Sequence, residues 1–294
     1  MTMDANRLEN EKHNSSCPKP PLVSVYITTK NRVTMLKRAV HSVLEQTYPN
    51  VEIIISDDGS TDETQQQVNQ WCELYMNIVY IRSSASKGAC HARNSAIRVA
   101  KGKFITGLDD DDRFTPERLQ TFVDAYEPQY AFICSQAYNY TGTKYVPSRY
   151  YGKTITQAQI FRRNCVGNQV FFERQKALEA GVLFDESFPA WQDFEFFTHL
   201  IVKFGAAMRI HSRTYIMHTD HEKERITNPK RIRQGYRKYL AKYKTLMSTS
   251  HRLSLLVNFI VLSNRRLPKG TITMCILNGH FYDLFKIFKR RVAR

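Results

Sequence analysis

The feature that most constrains the fold is a short apolar run that ends in four consecutive carboxylates, residues 103–112 (KFITGLDDDD). An apolar run of this length is typical of a buried β-strand. Carboxylates at the carboxyl end of a strand in an open α/β sheet lie where such sheets bind ligands. Asp109 and Asp111 are two residues apart and favour joint binding of a hard divalent cation, which takes oxygen ligands and shares them with substrate phosphates. The alternative is a solvated acidic loop.

Strands and helices alternate through the first half of the chain. Apolar, β-rich segments predict strands at residues 22–28, 51–55, 78–82, 103–108 and 130–138. Segments with helical spacing of apolar residues lie between the strands. The alternation predicts βαβ units, and therefore an α/β fold with a mostly parallel sheet flanked by helices.

Polar residues follow three of these strands, at residues 28–32, 57–58 and 109–112. Because the crossover connections of such units share one hand, we expect these polar segments to meet at one edge of the sheet. Neither G-x-G-x-x-G nor G-x-x-x-x-G-K-[ST] follows any of the strands, which disfavours an NAD-type fold and a P-loop. A nucleotide can still bind there through carboxylates and a metal, so the convergence favours an enzyme.

The positive charge is concentrated at the end of the chain. The formal net charge is +16, and residues 230–294 carry 16 Lys or Arg against one acid. The first 229 residues are nearly neutral, which disfavours a nucleic-acid enzyme with a basic cleft. Residues 230–244 and 281–292 interleave cations with aromatic residues and predict basic amphipathic helices. We expect them to contact an anionic membrane surface, and the alternative is a helical hairpin that packs on the catalytic domain with a solvated basic face.

Cysteine usage and hydropathy exclude other classes. The six cysteines include no C-x-x-C pair, so zinc is disfavoured and reduced thiols in the cytoplasm are expected. No apolar run of about 18 residues exists, so no membrane-spanning helix is predicted. Residues 1–20 are polar and lack the apolar segment of a signal peptide, and we expect a disordered lead-in.

The motifs taken together resemble one family. From residue 21 to about residue 228 the chain resembles the family 2 glycosyltransferases of GT-A fold. The resemblance is carried, in order, by VSVYITTKNR, SVLEQTYPNVEIIISDDGSTDET, KGACHARNSAI, AKGKFITGLDDDDRFTPERL and WQDFEFF. Within the family, the combination of GAC, RN, ITGLDDDD, GNQVF and QD is similar to that of transferases from colanic-acid and related exopolysaccharide clusters.

The resemblance implies a nucleotide-sugar donor bound by the first half of the chain. Thr28, Asn31 and Arg32 are implied to border the nucleotide. Asp58 is implied to accept a hydrogen bond from the base, which we expect to be uracil. Arg93, in the A-R-N motif, is implied to face the diphosphate.

The resemblance also implies the metal site and the base. Asp109 and Asp111 match the D-x-D motif that binds Mn²⁺ or Mg²⁺ at the diphosphate, and Asp110 is placed near the ribose. His218 is a candidate third ligand because neutral imidazole suits Mn²⁺, and the alternative is a packed or surface histidine. Asp193 matches the second acid of the family's acidic pair and is implied to be the general base, although an acid at a helix start also has a capping explanation.

Two departures from the family pattern bear on these roles. Lys30 replaces an aromatic residue in the loop after the first strand, so that ring contact is absent. Gln192 replaces the first acid of the acidic pair. Glu195 is therefore considered as a supporting acid or as an alternative base.

The expected protein is an inverting, metal-dependent glycosyltransferase. It is expected to move a sugar from a UDP-hexose or UDP-hexuronate to a sugar acceptor, free or lipid-linked, in bacterial surface polysaccharide biosynthesis (exopolysaccharide, capsule or O-antigen). The expected location is the cytoplasmic face of the inner membrane, with no nucleic-acid partner. The expected division is a GT-A domain over residues 21–229, with a nucleotide-sugar half (21–138) and an acceptor half (139–229), and a basic tail (230–294). The alternative is a non-catalytic nucleotide-sugar or membrane-binding protein of the same fold.

Overall fold

The computed structural model describes residues 19–150, 152–220, 229–263, 270–277, 279 and 284–285. Within them the strands are β1 (Val23–Thr29), β2 (Val51–Asp57), β3 (Ile78–Arg82), β4 (Phe104–Asp109), β5 (Arg113–Phe114), β6 (Ile133–Tyr140), β7 (Tyr145–Pro147), β8 (Thr154–Ile155), β9 (Phe171–Glu173) and β10 (Ala207–His218). The helices are α1 (Val33–Leu44), α2 (Thr64–Leu74), α3 (Ala89–Val99), α4 (Arg118–Asp124), α5 (Gln157–Ile160), α6 (Arg174–Glu179), α7 (Gln192–Phe204), α8 (Pro229–Tyr243), α9 (Thr249–Leu262) and α10 (Thr271–Leu277).

One sheet runs through the molecule in the order β3-β2-β1-β4-β9-β6-β10-β5, with β7 on β6 and β8 on β10. The long ladders are parallel, between β1, β2, β3 and β4 and between β6 and β10. The antiparallel strands β5, β7, β8 and β9 have two or three residues each. The α/β sheet predicted from the sequence is therefore confirmed, with a mixed second half in which antiparallel β9 separates the two parallel groups.

The strand register brings the predicted polar segments to one edge. Thr28 is paired with Ser56 on one side and with Asp109 on the other. After the acidic run the chain enters β5, which pairs with Tyr215 and Ile216 of β10, close to His218. The predicted convergence is confirmed, and the acidic run 109–112 spans the edge from β4 to β10.

Alternate strand residues pack into two cores, one on each face of the sheet. Val25 and Ile27 of β1 lie in the core that α1, α2 and α4 cover. Tyr26, between them, lies in the core that α3 and α7 cover. This period of two follows from the pleat of a strand, and it produces a helix–sheet–helix sandwich with the polar edge left open.

Helix α2 begins later than its sequence suggests. The spacing of Ser60 and Glu63 predicts a capping box and a helix from Thr61. The Ser60 hydroxyl instead accepts a hydrogen bond from the Asn31 amide at 2.9 Å, and α2 begins at Thr64. Asp62, which precedes the N-cap residue Glu63, accepts from the Thr64 amide at 3.1 Å.

The first basic segment packs on the rest of the fold. The Tyr239 and Tyr243 side chains of α8 are buried in the core shared with α7, while most of its cations remain exposed. The packing alternative therefore describes the aromatic face of this helix. Most of the predicted lead-in and of the second basic segment, residues 281–292, lies outside the described residues. None of the helices within the described ranges has the length and apolar character to cross a bilayer.

Candidate active site

The loop after β1 is tied to the loop after β2. Asn31 has a φ of 54°, in the left-handed region that asparagine tolerates better than most residues. Its side-chain oxygen accepts from the Thr61 amide at 2.7 Å. Thr28 is half-buried at the end of β1, in register with Asp109. Both predicted residues therefore lie at the polar edge.

Arg32 and Asp110 contact each other directly. Arg32 Nη1 lies 3.1 Å from Asp110 Oδ1 and 3.6 Å from Asp111 Oδ2. The Thr29 hydroxyl donates to Asp110 Oδ2 at 2.8 Å. Burial raises the pKa of Asp110 to about 6, although Arg32 and Thr29 oppose the rise. The sequence prediction included Thr28 and missed Thr29, which is the residue that holds Asp110.

Asp58 is built into the entry to α3. Its Oδ2 accepts from the Ser86 hydroxyl at 2.6 Å and from the Gly88 amide at 3.0 Å, and its Oδ1 accepts from the Lys87 amide at 2.7 Å. Its own amide donates to the Thr29 carbonyl at 3.0 Å, which joins it to the loop after β1. The side chain that was predicted to contact the base therefore also fixes the loop 86–88.

Asp109, the first acid of the run, is held from two sides. Arg93 Nη2 and Gln169 Nε2 donate to its Oδ1 at 3.2 and 3.1 Å. Loss of solvent raises the pKa of Asp109, Arg93 opposes the rise, and Asp193 and Asp111 add to it. Gln169 was not among the predicted site residues, although it belongs to the quoted GNQVF motif.

Arg93 links Asp109 to Asp193. Its Nη1 lies 2.9 Å from Asp193 Oδ1, and its guanidinium lies 5.1 Å from the centre of the Phe184 ring. Although burial disfavours the cation, Asp193 and Asp109 raise the pKa of Arg93. The Arg93 side chain is 9% exposed, whereas those of Asp109 and Asp193 are 38% and 42% exposed. A buried cation thus holds two carboxylates, predicted for different roles, at one accessible surface.

Asp193 lies in the first turn of α7. The residue before this helix, Trp191, has a φ of 67°, an uncommon conformation for a bulky side chain. Gln192, the departure from the family's acidic pair, donates to the Phe188 carbonyl at 3.0 Å. Glu195 is fully buried and faces α8, which excludes it as a base at this surface.

His218 joins the acidic run through Asp112. The His218 amide donates to Asp112 Oδ1 at 2.8 Å, and its Nδ1 lies 3.2 Å from Asp220 Oδ1. Desolvation lowers the pKa of His218, with Arg38 next in effect, so that the ring is neutral at neutral pH. Its Nε2 is buried and has no hydrogen-bond partner among the described residues. Asp112 was the one acid of the run without a predicted role.

The residues present fit a divalent cation, although they are not arranged around one. Within the described ranges no three His, Cys, Asp or Glu side chains form a group that could hold a metal. The Nε2 of His218, which has no hydrogen-bond partner among the described residues, is nevertheless available as a metal ligand. Desolvation together with Asp109 and Asp111 raises the pKa of Asp112 well above its usual value. Carboxylate oxygens with one neutral imidazole suit Mn²⁺ in particular.

Comparisons of the sequence with known proteins identify a family. The profile of "Glycosyl transferase family 2" matches residues 24–197. A glycosyl transferase of Escherichia coli (strain K12) assigned to colanic acid biosynthesis, WcaA, is 34% identical over 268 residues, which cover 88% of this chain and 95% of the relative. WfaP of Escherichia coli, a UDP-Glc:α-D-GlcNAc-diphosphoundecaprenol β-1,3-glucosyltransferase, is 37% identical over 40% of this chain and 46% of its own length.

Solved structures agree on the fold. TarS 1-349 of S. aureus, in complex with UDP-GlcNAc, has a TM-score of 0.65 at 19% identity, over 81% of this chain and 71% of the other. A mannosyltransferase of Pyrobaculum calidifontis, in complex with GDP-Man and Mn²⁺, has a TM-score of 0.56 at 17% identity, over 94% of this chain and 84% of the other. With the acidic run at the sheet edge, the GT-A fold and the sequence match agree: the chain is a glycosyltransferase and belongs to glycosyl transferase family 2.

Proposed function

We propose that the chain is an inverting, metal-dependent transferase that moves a sugar from a UDP-hexose or UDP-hexuronate to an acceptor sugar hydroxyl. The observation that carries this proposal is the pairing of Asp109 and Asp193 through Arg93. One carboxylate begins the predicted D-x-D motif, and the other lies in the first turn of α7. A donor bound at the first therefore presents its sugar towards the second.

The donor contacts follow from the polar edge. Asn31, Arg32 and Thr28 border the nucleotide, and Asp58 lies at the same edge with its loop fixed by hydrogen bonds. Asp110 carries two hydrogen bonds that orient it and would accept from the ribose.

The predicted metal ligands are Asp109, Asp111 and His218. Mn²⁺ or Mg²⁺ held there would neutralise charge on the departing diphosphate. Arg93 is already engaged by two carboxylates, so its share in binding the diphosphate requires that one of these contacts loosens.

Asp193 acts as the general base. The acceptor oxygen forms a bond to the anomeric carbon, the bond from that carbon to the diphosphate oxygen breaks, and the hydroxyl proton passes to Asp193. Arg93 keeps the Asp193 carboxylate in place. A single displacement without a protein nucleophile inverts the anomeric centre.

The proposed substrates are inferred from those in the names of the relatives. WfaP uses UDP-Glc and an acceptor on diphosphoundecaprenol, and WcaA is assigned to colanic acid biosynthesis. We assign this chain to bacterial surface polysaccharide biosynthesis, with a sugar or lipid-linked oligosaccharide as acceptor. Such an acceptor would keep the enzyme at the cytoplasmic face of the inner membrane, where the exposed cations of α8 would meet anionic lipid.

A thermal-shift screen tests the donor assignment. Nucleotides and nucleotide sugars are added with Mn²⁺, with Mg²⁺ or with EDTA, because a ligand that binds only the native state raises the melting temperature. A shift with UDP and a UDP-sugar that disappears in EDTA supports the proposal. A shift with GDP- or TDP-sugars alone overturns the uracil assignment, and no shift at all favours a non-catalytic protein of the same fold.

Asp193→Asn tests the base. The variant keeps the size of the side chain and removes its basicity, so turnover should fall on the order of 10²- to 10⁴-fold with nucleotide affinity retained. Unchanged turnover would exclude Asp193 as the base.

A further inference from the structure

Helix α8, which the charge pattern marks as part of a tail, packs directly on the first turn of α7. The Tyr239 ring stacks on the Phe194 ring with their centres 4.4 Å apart, and its hydroxyl lies 2.8 Å from the Thr198 hydroxyl. Gly235 is so close to the start of α7 that a Cβ at this position would lie 2.6 Å from the Ala190 carbonyl oxygen. The two helices therefore approach too closely at this point to admit a side chain at position 235.

An ion pair between a buried carboxylate and a partly exposed lysine reinforces this contact. Glu195 is 0% exposed, and its Oε1 accepts from the Tyr243 hydroxyl at 2.7 Å and lies 2.8 Å from Lys242 Nζ. Lys242 Nζ also lies 3.1 Å from Asp185 Oδ2, in the segment that leads into α7. A buried carboxylate needs such partners, because without them its desolvation opposes burial of the charge.

Residues on either side of Asp193 contact α8, whereas Asp193 itself does not face that helix. Trp191, Phe194 and Glu195 have the spacing of one helical face, and all three contact α8. Asp193 lies on the other side of the same turn and faces Arg93. The position of the Asp193 backbone is therefore fixed from behind by α8, while Arg93 fixes its carboxylate from the front.

We propose that α8 is a positioning element for Asp193, and that the ion pair between Glu195 and Lys242 is the contact through which it acts. This inference rests on the proposed role of Asp193 as base. Neither Lys242 nor Glu195 is among the proposed substrate contacts, and they act through the placement of the first turn of α7. The donor contacts lie on the loops after β1, β2 and β4, which are separate from this interface, so a loosened α8 affects the transfer step and not donor binding.

The test compares variants of the full chain in kcat, in nucleotide affinity by calorimetry with UDP and Mn²⁺, and in melting temperature. Lys242→Met removes the cation, and Lys242→Arg keeps a cation at this position. Lys203→Met is the matched control, because Lys203 is an exposed lysine at the other end of α7. Turnover is followed as nucleotide release from the UDP-sugar that the wild type uses fastest, at a temperature where every variant is folded.

We expect Lys242→Met to lower kcat on the order of 10- to 100-fold, since a displacement of about 1 Å at a reacting group has effects of this size. UDP affinity should stay within about twofold of wild type, and Lys242→Arg should recover most of kcat. If Lys242→Met does not fold, Tyr243→Phe removes one hydrogen bond to Glu195, keeps the ion pair, and should lower kcat in the same direction.

The outcomes separate this inference from the proposed function. If Asp193→Asn is inactive while Lys242→Met and Tyr243→Phe match Lys203→Met in kcat, α8 has no positioning role and the base assignment stands. Full activity of Asp193→Asn overturns the base assignment and this inference with it. A loss of UDP affinity in Lys242→Met equal to its loss of kcat would also contradict the inference, because it would place the effect in donor binding.

Discussion

Replacement of Arg93 by methionine removes the group that joins the two halves of the site. Methionine has a similar length and is apolar, so it fills the space of the side chain without donating a hydrogen bond. The substitution deletes the contacts to Asp109 and Asp193 and the approach of the guanidinium to the Phe184 ring. It leaves two carboxylates beside each other without their shared cation.

The magnitude follows from the exposure of the partners. A fully buried ion pair broken on one side costs about 3 to 5 kcal/mol, whereas exposed pairs contribute about 1 kcal/mol or less. Because both carboxylates are about two-fifths exposed, each pair is taken as about 1 kcal/mol and the cation–π contact as about 0.5 to 1 kcal/mol. The variant should lose about 2.5 to 3 kcal/mol, which corresponds to a fall in melting temperature of roughly 5 to 12 °C.

The effect on catalysis should be similar in free energy to the effect on folding. Without Arg93 the Asp193 carboxylate is no longer held towards the donor, and kcat should fall on the order of 100-fold. Arg93→Lys keeps the charge but reaches only one carboxylate well, so it should lie between the wild type and Arg93→Met. Arg98→Met, at an exposed position on the same helix, is the control. Arg93 has no linking role if Arg93→Met matches the control in both melting temperature and kcat.

Three further predictions concern stability and membrane contact. Tyr239→Ala should cost about 3 to 5 kcal/mol in urea unfolding, and Tyr239→Phe much less, because the ring is fully buried. Desolvation lowers the pKa of His199, so the unfolded state takes up a proton at a higher pH than the folded state does. The free energy of unfolding should therefore fall as the pH drops below about 6.5, and it should fall less in His199→Gln. Urea titrations at pH 7 and pH 5.5 measure both effects. Lys230, Arg233 and Arg237 have the spacing of one side of α8 and are exposed, and their replacement by glutamate should weaken co-sedimentation with phosphatidylglycerol vesicles by at least about 1 kcal/mol per residue. Equal sedimentation would exclude this surface.

The parallel part of the sheet could be predicted because its signals are local. Each strand is an apolar run that ends at a polar segment, and the connections are short and regular, so the convergence of Asp109 with Thr28 follows from topology. The reason that Thr29 was not predicted is also local. Successive strand residues point to opposite faces, and the sequence does not indicate on which face the hydroxyl that binds Asp110 lies.

The contact between Arg93 and Asp193 could not be predicted in the same way. Arg93 and Asp193 are 100 residues apart, and no periodicity connects them. The charge of the terminal segment left the packing of α8 as the less favoured alternative, because its cations outnumber the buried tyrosines that pack it. Glu195 is likewise a polar residue in the sequence, and only the position of Lys242 and Tyr243 accounts for its burial.

The most direct test of the account is whether the acidic run binds a metal together with the nucleotide. Electron paramagnetic resonance of free Mn²⁺ measures this without any turnover. In the presence of UDP, wild-type protein should deplete the free Mn²⁺ signal, and Asp111→Asn and His218→Gln should each deplete it much less. An Mn²⁺ signal that the wild type leaves unchanged with UDP present would contradict the proposed metal site at the acidic run. Binding of Mn²⁺ by Asp111→Asn as tight as that of the wild type would contradict it as well.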